Sequence, residues 1–235
     1  MSSKELMTID FSADAGAGLE QADSESYAIP FLSILQGLSP QIETVEGARP
    51  GLFINTVTDQ ISKTVRVIPC SYTRRYLQWA PRSEGGGFRG EHQPKDVETG
   101  KVGQRGDDGR FYIGDDLLKD TRSHYVLVET EDGNWSPAML SLSSTQIKKS
   151  KRWMSMIQGI KMGEGDAKFT PPMFSHVYEL GTVKEENSEG SWWGLTVKLD
   201  GPVTDAVVYA EARAFSQEVA QGRIKTETET TETGF

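Results

Sequence analysis

The sequence predicts a mainly β, α+β fold, and three observations carry that expectation. Apolar and β-branched residues alternate with polar ones over successive runs of strand length, bounded by turn residues. These runs pair into hairpins, most clearly around Glu131-Asp132-Gly133-Asn134. A single basic amphipathic helix separates that hairpin from the last one. A helix at that place among strands is the arrangement of an OB-like Greek-key barrel, here with a further C-terminal helix outside it.

In chain order, residues 1–27 combine Gly, Ala, Ser and acid and are expected to form a flexible acidic arm. Residues 28–222 are expected to form one OB-like domain. Ile29 to Leu38 places apolar residues as a short helix would, with Pro30 in its first turn. Gly51 to Thr58 and Lys63 to Tyr76 read as two strands joined at Asp59-Gln60. Residues 84–122 are Gly-rich and read as one long loop with a minor hairpin near Arg110 to Ile113. His124 to Thr130 and Trp135 to Leu142 form the next strand pair. The stretch Leu140 to Ile160 turns from strand into the basic helix, with Ser143 or Ser144 as N-cap and Gln146 placed to reach back. Phe174 to Lys184 and Ser191 to Leu199 make the last hairpin, and Ala206 to Val219 the outer helix. Residues 223–235 are low in complexity and expected to be disordered.

Composition narrows the function classes. At 235 residues the chain can bury a substantial core. No run of about 18 apolar residues is present, which argues against a membrane span, and the N-terminal residues lack a secretory pattern. One cysteine, Cys70, fits a reducing cytoplasm and cannot form an internal disulfide. The formal charge is −9, but residues 1–27 carry −5 and residues 226–235 carry −3, leaving about −1 for residues 28–225. An acidic pI is therefore compatible with basic patches in the middle of the chain.

Two carboxylate-free windows mark such patches. Between Gln60 and Ser83 there are five Lys or Arg and no Asp or Glu, and the same holds between Gly133 and Gly163. The first carries Tyr72, Arg74, Arg75, Tyr76, Trp79 and Arg82. The second carries Lys148, Lys149, Lys151, Arg152 and Trp153 on the helix. Basic residues interleaved with aromatics suit a polyanion whose bases can stack. The other reading is an edge strand with a solvated Arg ladder for the first window, and an ordinary amphipathic helix with Trp153 as a core anchor for the second. Trp192 and Trp193 alternate faces in a strand, so one ring is expected in the core and the other on the surface.

Nothing asks for catalysis. Gly85 to Gly90 formally satisfies GxGxxG, but no helix opens after it to hold a phosphate; a loop presenting Phe88 and Arg89 to a ligand is a better reading, and a plain linker a better one still. There is no P-loop. His92, His124 and His176 lack metal-ligand spacing, and Cys70 reads as a small buried side chain. Asp107, Asp108, Asp115 and Asp116 are candidates for a divalent ion only in the reading of a metal-dependent nuclease. No cofactor and no metal are expected.

The most specific feature is the end of the chain, TETETTETGF, where Glu227, Glu229 and Glu232 precede a single terminal Phe235. With the strand-helix-strand layout, this resembles the single-stranded DNA-binding proteins of tailed bacteriophages and, more distantly, of bacteria. The resemblance covers the layout and the last ten residues, and the tail holds three Glu and no Asp. It implies an OB-type core that coats single-stranded DNA in phage replication, recombination or repair. It also implies an acidic tail that contacts phage or host replication proteins, a setting in the cytoplasm of an infected bacterium, and a possible homo-oligomer. The alternative reading is a regulatory, protein-interaction module of a phage that binds a host protein.

Overall fold

The computed structural model describes residues 11–21, 29–188 and 190–224. Its strands are β1 (Leu32–Ile34), β2 (Phe53–Asn55), β3 (Ile61–Ser62), β4 (Val65–Trp79), β5 (Phe88–His92), β6 (Gln104–Arg105), β7 (Phe111–Ile113), β8 (Asp116–Glu129), β9 (Trp135–Ser143), β10 (His176–Asn187) and β11 (Gly190–Pro202). The α-helices are α1 (Gln41–Thr44), α2 (Pro94–Glu98), α3 (Ile147–Gly159) and α4 (Ala206–Ala220). The fold is mainly β, antiparallel, with a helix between strands and another near the C-terminal end.

A long ribbon made by β4 and β8 organises the chain, paired from Val67↔Val128 to Trp79↔Leu117. Both strands are rich in β-branched and aromatic residues, which favour the extended backbone. Pro69 lies at the one register shift in this pairing, where the ladder absorbs a residue that cannot donate. At one end β10 pairs with β4 and β9 with β8, and β11 pairs with β10. At the other end β5 pairs with β4 and β7 with β8.

Alternation along the ribbon buries both faces. Val67 and Val126 belong to a core with Phe53, Leu140, Trp153, Ile157, Tyr178 and Leu195, beneath α3 and the N-terminal strands. Ile68, Cys70 and Leu127 face the other way and pack with Ala212 and Phe215 of α4. Asp205 caps α4 by accepting from Val207 N at 2.7 Å and Val208 N at 3.3 Å.

Four expectations change. Ile29 to Leu38 contains the strand β1, not a helix. Its backbone pairs on two sides, with Thr56 N donating to Phe31 O at 3.0 Å and Met139 N to Pro30 O at 2.9 Å. Pairing and burial of Leu32 and Leu35 outweigh the helical spacing. Residues 84–122 are not one long loop. They hold β5, α2, β6 and β7 over a small core of Tyr76, Val97 and Leu118, with Phe111 and Ile113 packed on it. Neither Ser143 nor Ser144 caps α3 with its side chain, and Ser144 has φ +50 in a 3-10 turn before the helix. Finally, the strands do not close into a barrel: among the described residues β9 and β11 do not pair. Instead β1 leans on β9 through the Phe31↔Met139 bridge. The edge of β11 is met by side-chain amides of Gln36 and Gln146.

Candidate nucleic-acid interface

The two basic windows meet different fates in three dimensions. On β4, the register places Asp120 of β8 opposite Tyr76, and α2 brings Glu98 alongside. Arg74 donates to Asp120 through Nε at 3.0 Å and Nη2 at 2.8 Å, and reaches Glu98 at 2.6 Å. The hydrogen bonds to Asp120 hold its guanidinium above its ordinary pKa, with Glu98 adding to the effect. Arg75 donates to Arg74 O at 2.9 Å and lies 3.7 Å from Glu91. This charge is largely compensated and has little left for a phosphate. Arg82 is exposed, on a 3-10 turn.

The aromatic residues of that window are mostly committed to packing. Tyr76 is 6 % and Trp79 is 7 % exposed. Tyr76 meets Phe111 edge-on at 5.6 Å, and Trp79 meets Phe88 at 5.9 Å. Tyr72 is half-buried, and its hydroxyl accepts from Arg122 at 3.1 Å. Phe88 and Arg89 are likewise engaged within the chain, Arg89 with Glu84 and Asp116. The stacking role expected of Tyr76 and Trp79 is therefore corrected: these rings stabilise the β5–β7 appendage.

On α3 the outcome is reversed for the charges but not for the ring. Lys148, Lys151 and Arg152 are exposed, share one side at helical spacing, and have no ion-pair partner among the described residues. Lys149 is half-buried and pairs with Glu185 of β10. Trp153 is 0 % exposed and stacks on His124, centroids 4.6 Å apart and planes at 14°. The expected platform is thus a core anchor. The reason is its helical phase, which it shares with the buried Ser150 and Ile157. His124 Nε2 is 2.8 Å from Ser150 Oγ, and desolvation pushes the imidazole down to about 3, with Arg122 adding to it.

Neither Trp192 nor Trp193 is buried outright, so the expected division into core and surface becomes two half-buried rings. Trp192 Nε1 donates to Glu185 Oε2 at 3.1 Å, so Glu185 joins Trp192 to Lys149 at the edge of the basic helix. Lys149, and then Trp192, hold this carboxyl below its usual value. Trp193 lies against Gly51, where an added Cβ would come within 2.6 Å of the ring and where φ is +89. A glycine is required there on both counts.

Two exposed apolar residues escaped the sequence reading. The loop after α3 folds back on itself, with Met162 N donating to Phe169 O at 3.0 Å and Phe169 N to Met162 O at 2.9 Å. Phe169 is 53 % and Met162 43 % exposed, flanked by Lys161 and Lys168. The signal is present in the sequence, an aromatic beside lysine just after a basic helix.

Of the four aspartates, Asp107 and Asp115 are exposed, and the other two are engaged within the chain. Asp108 accepts from Tyr112 Oη at 2.7 Å, and Asp116 accepts from Gln78 at 2.5 Å. Among the described residues no three His, Cys, Asp or Glu side chains gather as metal ligands. Burial pushes the Cys70 thiol up to about 12, far from a reactive thiolate. Glu227, Glu229, Glu232 and Phe235 lie outside the described residues, as does most of the N-terminal arm.

The family model of the Pam3 phage gp34-like protein matches residues 3–225, nearly the whole chain. The chain belongs to this phage protein family. No curated protein and no solved structure matches it. Among the described residues no helix is long and apolar enough to cross a membrane.

Proposed function

We propose that this member of the gp34-like family binds single-stranded DNA without sequence selection and without catalysis, in phage replication, recombination or repair. The observation that carries the reading is the α3 surface. Lys148, Lys151 and Arg152 are exposed without an ion-pair partner among the described residues in a chain of charge −9, Trp192 is joined to the neighbouring Lys149 through Glu185, and Phe169 lies on the following loop. Cations neutralise phosphates and release their counterions, while an exposed ring offers a face to any base. Supporting this, β4, β8, β9, α3, β10 and β11 come in that order along the chain, with β5, α2, β6 and β7 inserted between β4 and β8, and the strands pair as β11-β10-β4-β8-β9, as the OB reading would have them. A five-stranded, partly open barrel of that kind is a common platform for oligonucleotides. The acidic end from Glu227 to Phe235 would contact phage or host replication proteins in the infected cell's cytoplasm.

Titration of poly(dT) against salt tests the reading. Wild type should bind with a steep salt dependence and leave the strand intact in magnesium. Replacing Lys148, Lys151 and Arg152 by Ala should lower the log–log slope by about 2, at ~0.7 per phosphate contact. An unchanged slope in a folded variant removes α3 from the site. Strand cleavage that requires magnesium would point to the nuclease reading instead.

A further inference from the structure

A second concentration of uncompensated positive charge lies away from α3. The loop Arg49-Pro50-Gly51-Leu52, the turn at Lys63-Thr64 and the β10–β11 hairpin enclose a cleft of about 440 Å3. That volume is within the range of small-molecule sites, about 300–1,000 Å3. Arg49, Lys63 and Lys198 line it, each exposed and without an ion-pair partner among the described residues. One carboxylate, Glu179, faces these three cations.

The cleft is built rather than incidental. Trp193 lines it, and the ring reaches that place only because residue 51 has no Cβ. Thr182 Oγ1 donates to Gly51 O at 2.5 Å, tying the loop to the hairpin. Gln36 fixes the Trp193 backbone from its other side, accepting from Trp193 N at 2.8 Å and donating to Trp193 O at 2.9 Å. Gly181 also leaves room, since a Cβ there would lie 3.0 Å from Thr196 Oγ1. The hydroxyls of Thr64 and Thr196 line the cleft as well.

A cleft that offers cations, hydroxyls and one wall of indole suits a ligand that is anionic at one end and flat at the other. We propose that this cleft is a nucleotide-binding site. The phosphate is held by Arg49, Lys63 and Lys198, and the base lies against Trp193. Both attractions are needed: ammonium and guanidinium groups recognise phosphate, and an indole face stacks on a base of any identity. The inference does not depend on the α3 surface, because the two share no side chain. The same chemistry is presented by a free nucleotide and by a nucleotide within a single strand.

The test uses the full chain and dAMP as probe, read by equilibrium dialysis, with deoxyadenosine and inorganic phosphate as controls. We expect saturable binding of dAMP that weakens with salt, and controls that each bind at least about tenfold less tightly, or ~1.4 kcal/mol. Lys63→Ala combined with Lys198→Ala should weaken dAMP at least tenfold with little change in the melting temperature, since both side chains are exposed and neither makes an ion pair among the described residues. The triple alanine variant of α3 should leave dAMP binding intact. Displacement of dAMP by oligo(dA) assigns the cleft to the path of a strand; retention of dAMP assigns it to free nucleotides. Absence of saturable binding up to millimolar dAMP overturns the proposal, as does a double variant that binds like wild type. If poly(dT) binding through α3 fails while dAMP still binds, only the function proposed above falls.

Discussion

Gln36 and Trp193 face each other as a strand pair would. The amide of Gln36, itself 7 % exposed, donates to Trp193 O at 2.9 Å and accepts from Trp193 N at 2.8 Å. Gln146 repeats the device, accepting from Leu195 N at 3.0 Å and donating to Trp193 O at 3.2 Å. Two side chains thus satisfy backbone groups on the edge of β11 where the sheet stays open.

Gln36→Ala should therefore destabilise the protein by about 1–3 kcal/mol, because Trp193 N loses its acceptor in a half-buried place while Trp193 O keeps only Gln146. Gln36→Glu should be destabilising too, since a carboxylate accepts but cannot donate. Urea unfolding measures both. A Gln36→Ala variant as stable as wild type would mean that water replaces the amide without loss.

Stability should also depend on pH through His124. Its folded pKa, about 3, lies below its ordinary 6.5, so the unfolded chain binds the proton more readily. The contribution is present in full above pH 6.5 and is lost as pH falls from there toward 3. The slope cannot exceed about 1.4 kcal/mol per pH unit for one proton. His176 is shifted in the same direction by partial burial and adds to it. Denaturation at pH 7.5 and 5.5 should show the loss, and His124→Phe, which keeps a ring against Trp153, should reduce it.

Arg74 and the α3 cations should separate cleanly. Arg74→Ala removes the guanidinium from Glu98 and leaves Asp120 only Arg122, 3.4 Å away, and should cost about 1–3 kcal/mol of stability. It should leave the salt slope of poly(dT) binding as it was. The α3 triple variant should do the opposite. If Arg74→Ala lowers the slope in a folded protein, the ion pairs open on binding and the β4 patch belongs to the interface after all.

Phe169→Ala should weaken poly(dT) binding by about 1–3 kcal/mol if one base stacks there. Its effect on unfolding should be small, as the ring is 53 % exposed. Phe169→Tyr should restore binding, which a merely structural role would not predict. Equal binding by wild type and Phe169→Ala would take this loop out of the interface.

Local pattern determined much of this protein. The strands β4, β9, β10 and β11, the part of β8 from His124 on, the helix α3 and the helix α4 follow from hydrophobic period, turn residues and charge placement, all of which act over a few neighbours; β5, α2 and β6 do not. The basic face of α3 was legible for the same reason: one helix contains it whole. What only the tertiary structure decided was each contact between distant segments. A window without carboxylates promised free charge on β4, yet Asp120 arrives 46 residues later across the ribbon and Glu98 from α2. Trp153 and Trp192 are both aromatic residues near lysines in sequence. One turns inward onto His124 and the other rests on Glu185 beside Lys149. Ile29 to Leu38 carries helical spacing, but β2 and β9 supply partners for an extended backbone and the strand prevails. The Arg49, Lys63 and Lys198 cleft exists only because loop, turn and hairpin converge, and no single stretch of sequence contains it.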